Sequence, residues 1–227
     1  TSSRKTTIEK IDEAQLETGY WLVLVGGSKC GNCSTVKRVL SKVAPEFHSK
    51  VKFGYLEGSS ITRYGVRTES DVAKILLFPN QGSGRYIPCT EQPTIRDIKY
   101  FLHYFLADNA LRQSRIEIAL VEFNQALIHR PTSAVTHFGL ANLHHQHTRD
   151  LTAAASHYDK ALADEAALPS VAQAHYLAAN TYLTLGYPKK ALHHYESAVQ
   201  ADPKLYGAHR EMAIAAGMQD DVTAAEE

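Results

Sequence analysis

The second half of this chain repeats one helical pattern three times. The fragments Glu122–Leu127, His157–Leu162 and His194–Val199 are variants of a single sequence, in which an aromatic residue is followed three positions later by alanine. The alanines that precede them, Ala119, Ala154 and Ala191, lie 35 and 37 residues apart. A repeat of this period predicts stacked helix pairs, each burying its apolar face against its neighbours.

Between these fragments lie segments that combine small residues with an aromatic. They include Phe138, Ala141 and Asn142, and then Ala178 and Tyr182. The pattern resembles the tetratricopeptide (TPR) repeat family, whose motif places small residues where helices cross. The resemblance implies an all-α solenoid over residues 107–227 and a surface that binds other proteins.

A different pattern occupies the first half. The six residues from Tyr20 to Val25 are aromatic, β-branched or leucine, which predicts a short buried strand. Cys30 and Cys33 follow, and apolar residues at helical spacing come next. A helix N-terminus favours the thiolate of Cys30, as does the adjacent Lys29, and Cys33 lies close enough to close a disulfide.

Later segments extend this pattern. The runs Tyr64–Arg67, Ile75–Pro79 and Gly82–Ile87, with Thr94 opening a last helix, resemble the second half of a protein-disulfide-isomerase-type domain. Over about residues 5–106 the chain is therefore similar to the thioredoxin superfamily. The resemblance implies an α/β thioredoxin-like fold in which Cys30 attacks a substrate disulfide and Cys33 resolves the mixed disulfide.

Three departures from that family leave a second interpretation open. Lys29 stands where the family has Trp, and Leu24 stands where it keeps a buried acid that accepts the proton of the resolving thiol. The segment Thr68–Lys74 is about three residues longer than its counterpart and lacks the cis-proline of the family. A missing acid should slow release of a mixed disulfide. The alternative is a non-catalytic scaffold or co-chaperone with a redox-impaired domain.

The order of elements follows from the same patterns. We expect an amphipathic helix from Thr7 to near Gly19, a helix after Cys33 that stops or kinks near Pro45, strands at Val51–Leu56, Ile75–Phe78 and Arg85–Cys89, and a mixed sheet. The helix opened by Thr94, over about residues 94–112, is expected to serve both domains, 1–106 and 107–227. After Pro203 we expect a leading helix at Tyr206–Met218 and the start of its partner at Asp221–Glu227.

Composition excludes several classes of function. Lys plus Arg equals Asp plus Glu, 24 each, so the net charge is zero, which argues against nucleic acid and against an electrostatically held membrane site. No apolar run reaches the length of a membrane span. A start at Thr1 without a signal peptide leads us to expect a processed product or a piece of a longer protein.

No cofactor and no metal are expected. Zinc takes about four ligands, and Cys30 and Cys33 supply only two. Two further features are assigned structural roles: His144-His145-x-His147 lies near a helix end, and Cys89 is expected to be a buried, inert thiol.

The concave face of the repeats is the expected peptide-binding surface, with Tyr176, Asn180 and Arg210 as its candidate residues. Repeat arrays that hold the C-terminal carboxylate of heat-shock chaperones carry a Lys/Asn/Arg clamp. Tyr104 and Gly139 occupy clamp positions here, which argues against that ligand. The Gly82–Gly84 half resembles secretory-pathway proteins, which favours the endoplasmic reticulum lumen; the alternative is the cytoplasm.

The sequence thus predicts thiol–disulfide exchange or folding assistance on protein clients, with the repeats recruiting the client or a partner chaperone. The alternative is a protein-interaction scaffold.

Overall fold

A computed structural model describes residues 8–12, 15–16, 19–26, 30–57, 73–79, 86–89 and 94–226, with side chains up to Met218. The chain divides into two compact units, Thr1–Phe101 and Leu102–Glu227. Each unit has its own architecture, a mixed sheet in the first and paired helices in the second.

The first unit contains, among its described residues, five strands in the order β1-β3-β2-β4-β5. They are β1 (Glu9–Lys10), β2 (Trp21–Val25), β3 (Lys52–Leu56), β4 (Lys74–Phe78) and β5 (Ile87–Pro88). Strands β1 and β2 both run parallel to β3, whereas β4 is antiparallel to β2 and to β5. The predicted mixed sheet and the strands predicted at Val51–Leu56 and Ile75–Phe78 are therefore confirmed.

The central strand β2 is buried along its whole length, as expected for a continuous apolar run. Helix α1 (Cys33–Phe47) buries the apolar stripe Val36, Leu40, Val43, Ala44 and Phe47. The prediction that this helix stops or kinks near Pro45 is confirmed, because α1 ends at Phe47, two residues beyond Pro45. Pro45 lacks only the N–H that would bond the carbonyl of residue 41, and so near the helix end this loss is small.

The helix predicted from Thr7 to near Gly19 is wrong for the described part of that segment. Glu9–Lys10 forms strand β1, and the Ile11 N–H donates to the Tyr55 carbonyl at 3.0 Å. Gln15 and Leu16 lie in a short 3-10 turn. Spacing of apolar residues favoured a helix, but the open edge of β3 satisfies the backbone and buries Ile11 at the same time.

The second unit is helical. Its elements are α2 (Ile95–Arg112), α3 (Ile116–His129), α4 (Ala134–Leu143) with a π-helical turn (His144–Thr148), α5 (Leu151–Leu162), α6 (Val171–Thr184), α7 (Pro188–Ala201) and α8 (Tyr206–Glu226). The Asp97 N–H donates to Thr94 Oγ1 at 3.1 Å, so Thr94 caps α2. The boundary between the units falls inside α2. None of the described helices is long and apolar enough to cross a membrane.

The repeated residues form the core of this unit. The three aromatics Phe123, Tyr158 and Tyr195 are buried, as are the alanines that flank them at each repeat: Ala119, Ala126, Ala154, Ala161, Ala191 and Ala198. Small and large side chains therefore alternate across helix crossings. The predicted all-α, tetratricopeptide-like solenoid is confirmed by this packing.

Helix α8 departs from the prediction. We expected a leading helix to Met218 and a second helix from Asp221, but α8 runs unbroken through Glu226. The preceding repeat breaks at Gly186, which has a φ of +81°, followed by Pro188. Residues 218–226 contain neither glycine nor proline, so nothing in the local sequence ends the helix there.

Candidate functional site

The predicted cysteine pair lies at the start of α1. Cys30 and Cys33 form a disulfide with their Cα atoms 5.5 Å apart, and Cys33 is the first residue of the helix. Both residues are half-buried, so the bond lies at the surface of the first unit. The arrangement is that of a dithiol pair which can open and close at a helix N-terminus.

Gly26, directly after β2, lies against this disulfide. A Cβ atom built on Gly26 would collide with the Sγ of Cys33 and would lie 3.3 Å from the Sγ of Cys30. Its backbone is held by a bond from the Gly26 N–H to the Leu56 carbonyl at 3.3 Å. The site therefore requires glycine here. The sequence signal for this role is the pair Gly26-Gly27, which directly follows the apolar run Tyr20–Val25.

Asn32, between the cysteines, ties the dithiol turn to β4. Its Oδ1 accepts the N–H of Ala73, the residue just before β4, at 2.9 Å, and this backbone donor fixes which amide atom is the oxygen. The same Oδ1 lies 3.3 Å from the Sγ of Cys30. In the reduced state a Cys30 thiol could donate to that oxygen, which would favour thiol over thiolate. A proline at position 73 could not supply the N–H.

The structure describes some of the other residues that the sequence singled out in the first unit, but not all of them. Leu24 is fully buried in β2, so this position supplies no carboxylate to accept a proton from Cys33. Lys29 and residues 68–72 lie outside the described residues. The predicted buried state of Cys89 is wrong, because this cysteine, which forms no disulfide, is half-exposed beside β5.

The candidate peptide-binding residues lie on α6 and α8. Tyr176 and Asn180 are one turn apart on α6, and the Asn180 Oδ1 accepts the hydroxyl of Tyr195 at 2.6 Å. Arg210 is exposed on α8 and donates to Glu211 at 2.6 Å. Its bond to Glu211 raises the pKa of Arg210, and the nearby Tyr176 adds to this shift. An acidic ligand must therefore compete with Glu211 for Arg210.

Gly139 cannot hold a clamp side chain in this structure. A Cβ atom at Gly139 would lie 2.7 Å from Cζ and 2.8 Å from Cε1 of the buried Phe123 ring. The glycine is thus part of the packing between α3 and α4. This physical reason explains the departure from the clamp pattern that was seen in the sequence.

In two of the repeats a pair of histidines links the first helix to the second. The Nδ1 atoms of His137 and His157 lie 2.9 Å apart, and those of His175 and His194 lie 3.0 Å apart. The Nε2 of His137 faces the Pro131 carbonyl at 2.9 Å, which can only accept. In the neutral pair His137 Nδ1 is therefore the acceptor and His157 Nδ1–H is the donor.

Burial and neighbouring charges oppose protonation of these pairs. Burial, followed by His137, Lys160 and His144, lowers the pKa of His157 to about 4. Burial, followed by His175, likewise lowers the pKa of His194 to about 4. Sequence analysis noted that His157 and His194 occupy equivalent positions but did not identify their partners.

The histidine pairs predict a loss of stability in mild acid. A histidine in the unfolded chain has a pKa near 6.5. Between pH 6.5 and 4, His157 and His194 are therefore protonated in the unfolded chain but mostly neutral in the folded chain. Folding stability is therefore full above about pH 6.5 and falls as the pH drops. With an allowance for partial exposure, we expect the two pairs to cost about 2 kcal/mol at pH 5 relative to pH 7.

The measurement is urea unfolding at pH 7 and pH 5. The control is a His157→Gln, His194→Gln variant, which retains polar side chains that do not titrate. We expect its loss of stability over this interval to be smaller than that of the wild type by about 2 kcal/mol. Equal losses in both proteins would show that other groups govern the acid sensitivity.

The histidine cluster after α4 is hydrogen-bonded to hydroxyl groups. His144 Nδ1 lies 3.0 Å from Thr148 Oγ1, and His145 Nδ1 lies 2.8 Å from Thr181 Oγ1. These contacts agree with the structural role that the sequence indicated for the cluster.

Comparisons with known proteins find similarity in the helical part. No family model and no curated protein sequence matches this chain. Among solved structures, the first TPR of Spaghetti (RPAP3) bound to an HSP90 peptide is 15% identical, covers 54% of this chain and 94% of its own, and has a TM-score of 0.48. The TPR2B domain of yeast Sti1 in complex with an Hsp70 peptide is 14% identical, with 55% and 98% coverage and a TM-score of 0.43. The MamA protein is 15% identical, with 56% and 87% coverage and a TM-score of 0.34.

Proposed function

We propose that this chain is a protein-interaction protein whose helical repeats bind a segment of a partner, as a scaffold or co-chaperone does. The observation that carries the proposal is the grouping of Tyr176, Asn180 and Arg210 on neighbouring helices. Together they offer an aromatic ring, an amide and an exposed guanidinium, which suit a peptide with an acidic side chain.

The proposed ligand is an internal acidic segment of a protein. Arg210 supplies the charge, and the amide of Asn180 can donate because its oxygen is taken by Tyr195. A terminal carboxylate would need the clamp positions at Tyr104 and Gly139, and Gly139 has no room for a side chain. Binding should therefore not depend on a free C-terminus.

The test is a selection of 12-residue peptides displayed on phage, followed by titration of the selected peptides after synthesis. Arg210→Ala should weaken binding at least tenfold. Arg112→Ala is the matched control, because Arg112 is also 76% exposed at its side chain and also pairs with a carboxylate, that of Asp108. Failure to select any peptide, or equal loss in both variants, would reject this surface as the binding site.

A second candidate function is thiol–disulfide exchange, and here the first unit would be a thioredoxin-like domain. The disulfide at the N-terminus of α1 favours it, together with a sheet order that places β2 at the centre. In this proposal Lys29 supports the thiolate of Cys30. The absence of an acid at Leu24 would make release of the mixed disulfide slow.

The exchange between the client disulfide and the cysteine pair needs no further oxidant or reductant. The Cys30 thiolate attacks one sulfur of a client disulfide, forms a mixed disulfide and releases the other client sulfur as a thiolate. The Cys33 thiolate then attacks Cys30 Sγ, which releases the second client thiol and leaves the Cys30–Cys33 disulfide. The client is reduced by two electrons and the pair is oxidised by two.

Reduction of insulin by dithiothreitol tests this function. The wild type should accelerate the reaction over the uncatalysed rate, Cys30→Ser should abolish the acceleration, and Cys89→Ser should leave it unchanged. Equal rates for the wild type and Cys30→Ser would reject thiol–disulfide exchange, and the function would then lie in the repeats. A persistent disulfide would suit the endoplasmic reticulum lumen, and a reduced pair would suit the cytoplasm.

A further inference from the structure

The side chain of Asn32 does not cap the helix that it precedes. Asn32 is the N-cap residue of α1, a position at which the side-chain oxygen of asparagine ordinarily accepts a backbone N–H of the first helical turn. Within the described part of the chain that bond is not made. The oxygen instead accepts the N–H of Ala73 at 2.9 Å and lies 3.3 Å from the Sγ of Cys30. A favourable local bond is thus given up for contacts at the dithiol turn, a pattern typical of functional sites.

The N–H of Ala73 decides which end of the Asn32 amide faces the sulfur. An amide group can present either its oxygen or its NH2 group, because turning the group over exchanges the two. With the amide turned over, the NH2 group would meet the N–H of Ala73 as donor against donor. The backbone at position 73 therefore holds the amide oxygen toward Cys30.

An oxygen and an NH2 group at this place have opposite effects on a reduced Cys30. The oxygen has two lone pairs, so it can accept the S–H of Cys30 as well as the N–H of Ala73. The same oxygen would repel the negative charge of a thiolate, whereas an NH2 group would donate to it. Because a hydrogen bond made by the neutral form of a group favours that form, the observed orientation favours the thiol over the thiolate.

The surroundings of Cys30 leave this effect largely unopposed. Within the described residues, the polar contacts of Cys30 are those with Cys33 and Asn32. The end of β2 contributes Gly26, which has no side chain. Lys29 lies outside the described residues, and its charge would favour the thiolate, as would the N-terminus of α1. Both of these are the same in every variant compared below, so they cancel from the comparison.

We propose that Asn32 and Ala73 together are positioning residues that favour the thiol form of Cys30 and so slow its attack on a client disulfide. Ala73 orients the amide, and the amide oxygen then holds the proton on the sulfur. The thiolate is the attacking species, so a smaller thiolate fraction lowers the rate at neutral pH. This inference deepens the second candidate function, thiol–disulfide exchange. It concerns the attack by Cys30, whereas the effect of Leu24 concerns the later release of the mixed disulfide by Cys33.

The test measures the alkylation of Cys30 by iodoacetamide from about pH 5 to about pH 10, a range that spans the ordinary titration of a thiol. It uses the reduced 227-residue chain with Cys33→Ser, which leaves one thiol in the turn and gives the pH profile a single midpoint. Mass spectrometry reads Cys30 and Cys89 separately, because they lie in different tryptic peptides. The profile of Cys89 should be the same in all variants.

Two substitutions of Asn32 should move the midpoint in opposite directions. Asn32→Ala removes the oxygen and frees the N–H of Ala73, so the midpoint should move to lower pH and alkylation at pH 7 should accelerate about threefold or more. Asn32→Asp keeps an acceptor for Ala73 and adds a negative charge beside the sulfur. Its midpoint should move to higher pH, and its rate at pH 7 should fall about threefold or more.

Substitutions of Ala73 test the orienting N–H. Ala73→Pro removes it, so the amide of Asn32 can turn its NH2 group toward the sulfur, and the midpoint should move to lower pH as in Asn32→Ala. Ala73→Gly keeps the N–H and should leave the profile unchanged. Ser34→Ala removes an exposed hydroxyl from the first turn of α1, and as the matched control it should also leave the profile unchanged.

The position of the midpoint separates this role from a merely structural one. If Asn32 only held the turn in place, its loss would change access to Cys30 and would scale the rate at every pH without moving the midpoint. A fixed midpoint in Asn32→Ala, or a shift in the same direction in Asn32→Ala and Asn32→Asp, would overturn the proposal. An unchanged profile in a folded Ala73→Pro variant would overturn the role of Ala73.

The alkylation test is independent of the insulin assay, because no client is present. If the midpoints move as expected but insulin reduction is not accelerated, thiol–disulfide exchange is rejected and the control of Cys30 by Asn32 stands. If insulin reduction is accelerated but the midpoints do not move, the exchange function stands and this inference is rejected.

Discussion

A Gly26→Val variant is expected to lose most of its Cys30–Cys33 disulfide under conditions in which the wild type retains it. The Cβ of valine would occupy the space of the Cys33 sulfur. The backbone cannot yield easily, because Gly26 is hydrogen-bonded to Leu56 and Cys33 begins a buried helix. In the reduced state the Cys33 side chain can rotate away, whereas a disulfide tolerates only a narrow geometry.

The equilibrium constant for disulfide formation with glutathione should fall about 5- to 150-fold, the range that overpacking by about 1–3 kcal/mol implies. It is measured by quenching with an alkylating agent followed by mass spectrometry. Gly26→Ala should give a smaller change of the same sign. Gly217→Ala is the control, because Gly217 lies in open space on α8. An unchanged constant in Gly26→Val would mean that the strand end shifts freely and that Gly26 does not shape the site.

The parts of the fold that sequence predicted best rest on local periodicity. The run from Tyr20 to Val25 and the repeated spacing around Phe123, Tyr158 and Tyr195 require a buried strand and stacked helices whatever their surroundings are. Segment 8–16 failed because the i, i+3 spacing of Ile8 and Ile11 favours a helix, whereas the open edge of β3 draws Glu9 and Lys10 into the sheet. Local pattern does not reveal such an edge.

The features of the site that sequence did not reveal all depend on contacts between distant residues. Asn32 bonds Ala73 across 41 positions, and His137 meets His157 across 20. From residue type alone, Asn32 and these histidines are expected to have ordinary structural roles, because an Asn inside a turn and a His in a repeat are common. Only the packing of elements shows that Asn32 lies within reach of both Ala73, just before β4, and the Cys30 sulfur.

These contacts also explain how the chain departs from the families that it resembles. Ala73 has an N–H where a proline would have none, and Asn32 satisfies that donor. Gly139 stands where a clamp needs a side chain, and the Phe123 ring fills the space. In both cases a second residue contacts the position that differs: Asn32 bonds Ala73, and Phe123 packs against Gly139. We therefore expect that replacing Ala73 or Gly139 alone by the residue typical of the family would disrupt this contact.

A Gly139→Asn variant, which introduces a clamp-type residue, is therefore expected to destabilise the helical unit. Phe123 is buried among Ala107, Leu140 and Leu143, and its ring lies edge-on to Tyr104 at 6.0 Å, so it cannot rotate away from a new Cβ. Overpacking costs about 1–3 kcal/mol, and the gain in helix propensity over glycine recovers only a few tenths of a kcal/mol for asparagine. We expect a net loss of about 2 kcal/mol.

Urea unfolding of a double-mutant cycle gives the decisive measurement. Phe123→Leu alone leaves a cavity, but in the Gly139→Asn background it makes room for the new side chain. The two substitutions together should cost less than the sum of their separate effects by about 1 kcal/mol or more. Gly217→Ala, which meets no neighbour, should instead stabilise the chain by up to about 1 kcal/mol. Additive effects, or a Gly139→Asn variant as stable as the wild type, would show that the Phe123 ring yields, and Gly139 would then no longer argue against a carboxylate clamp.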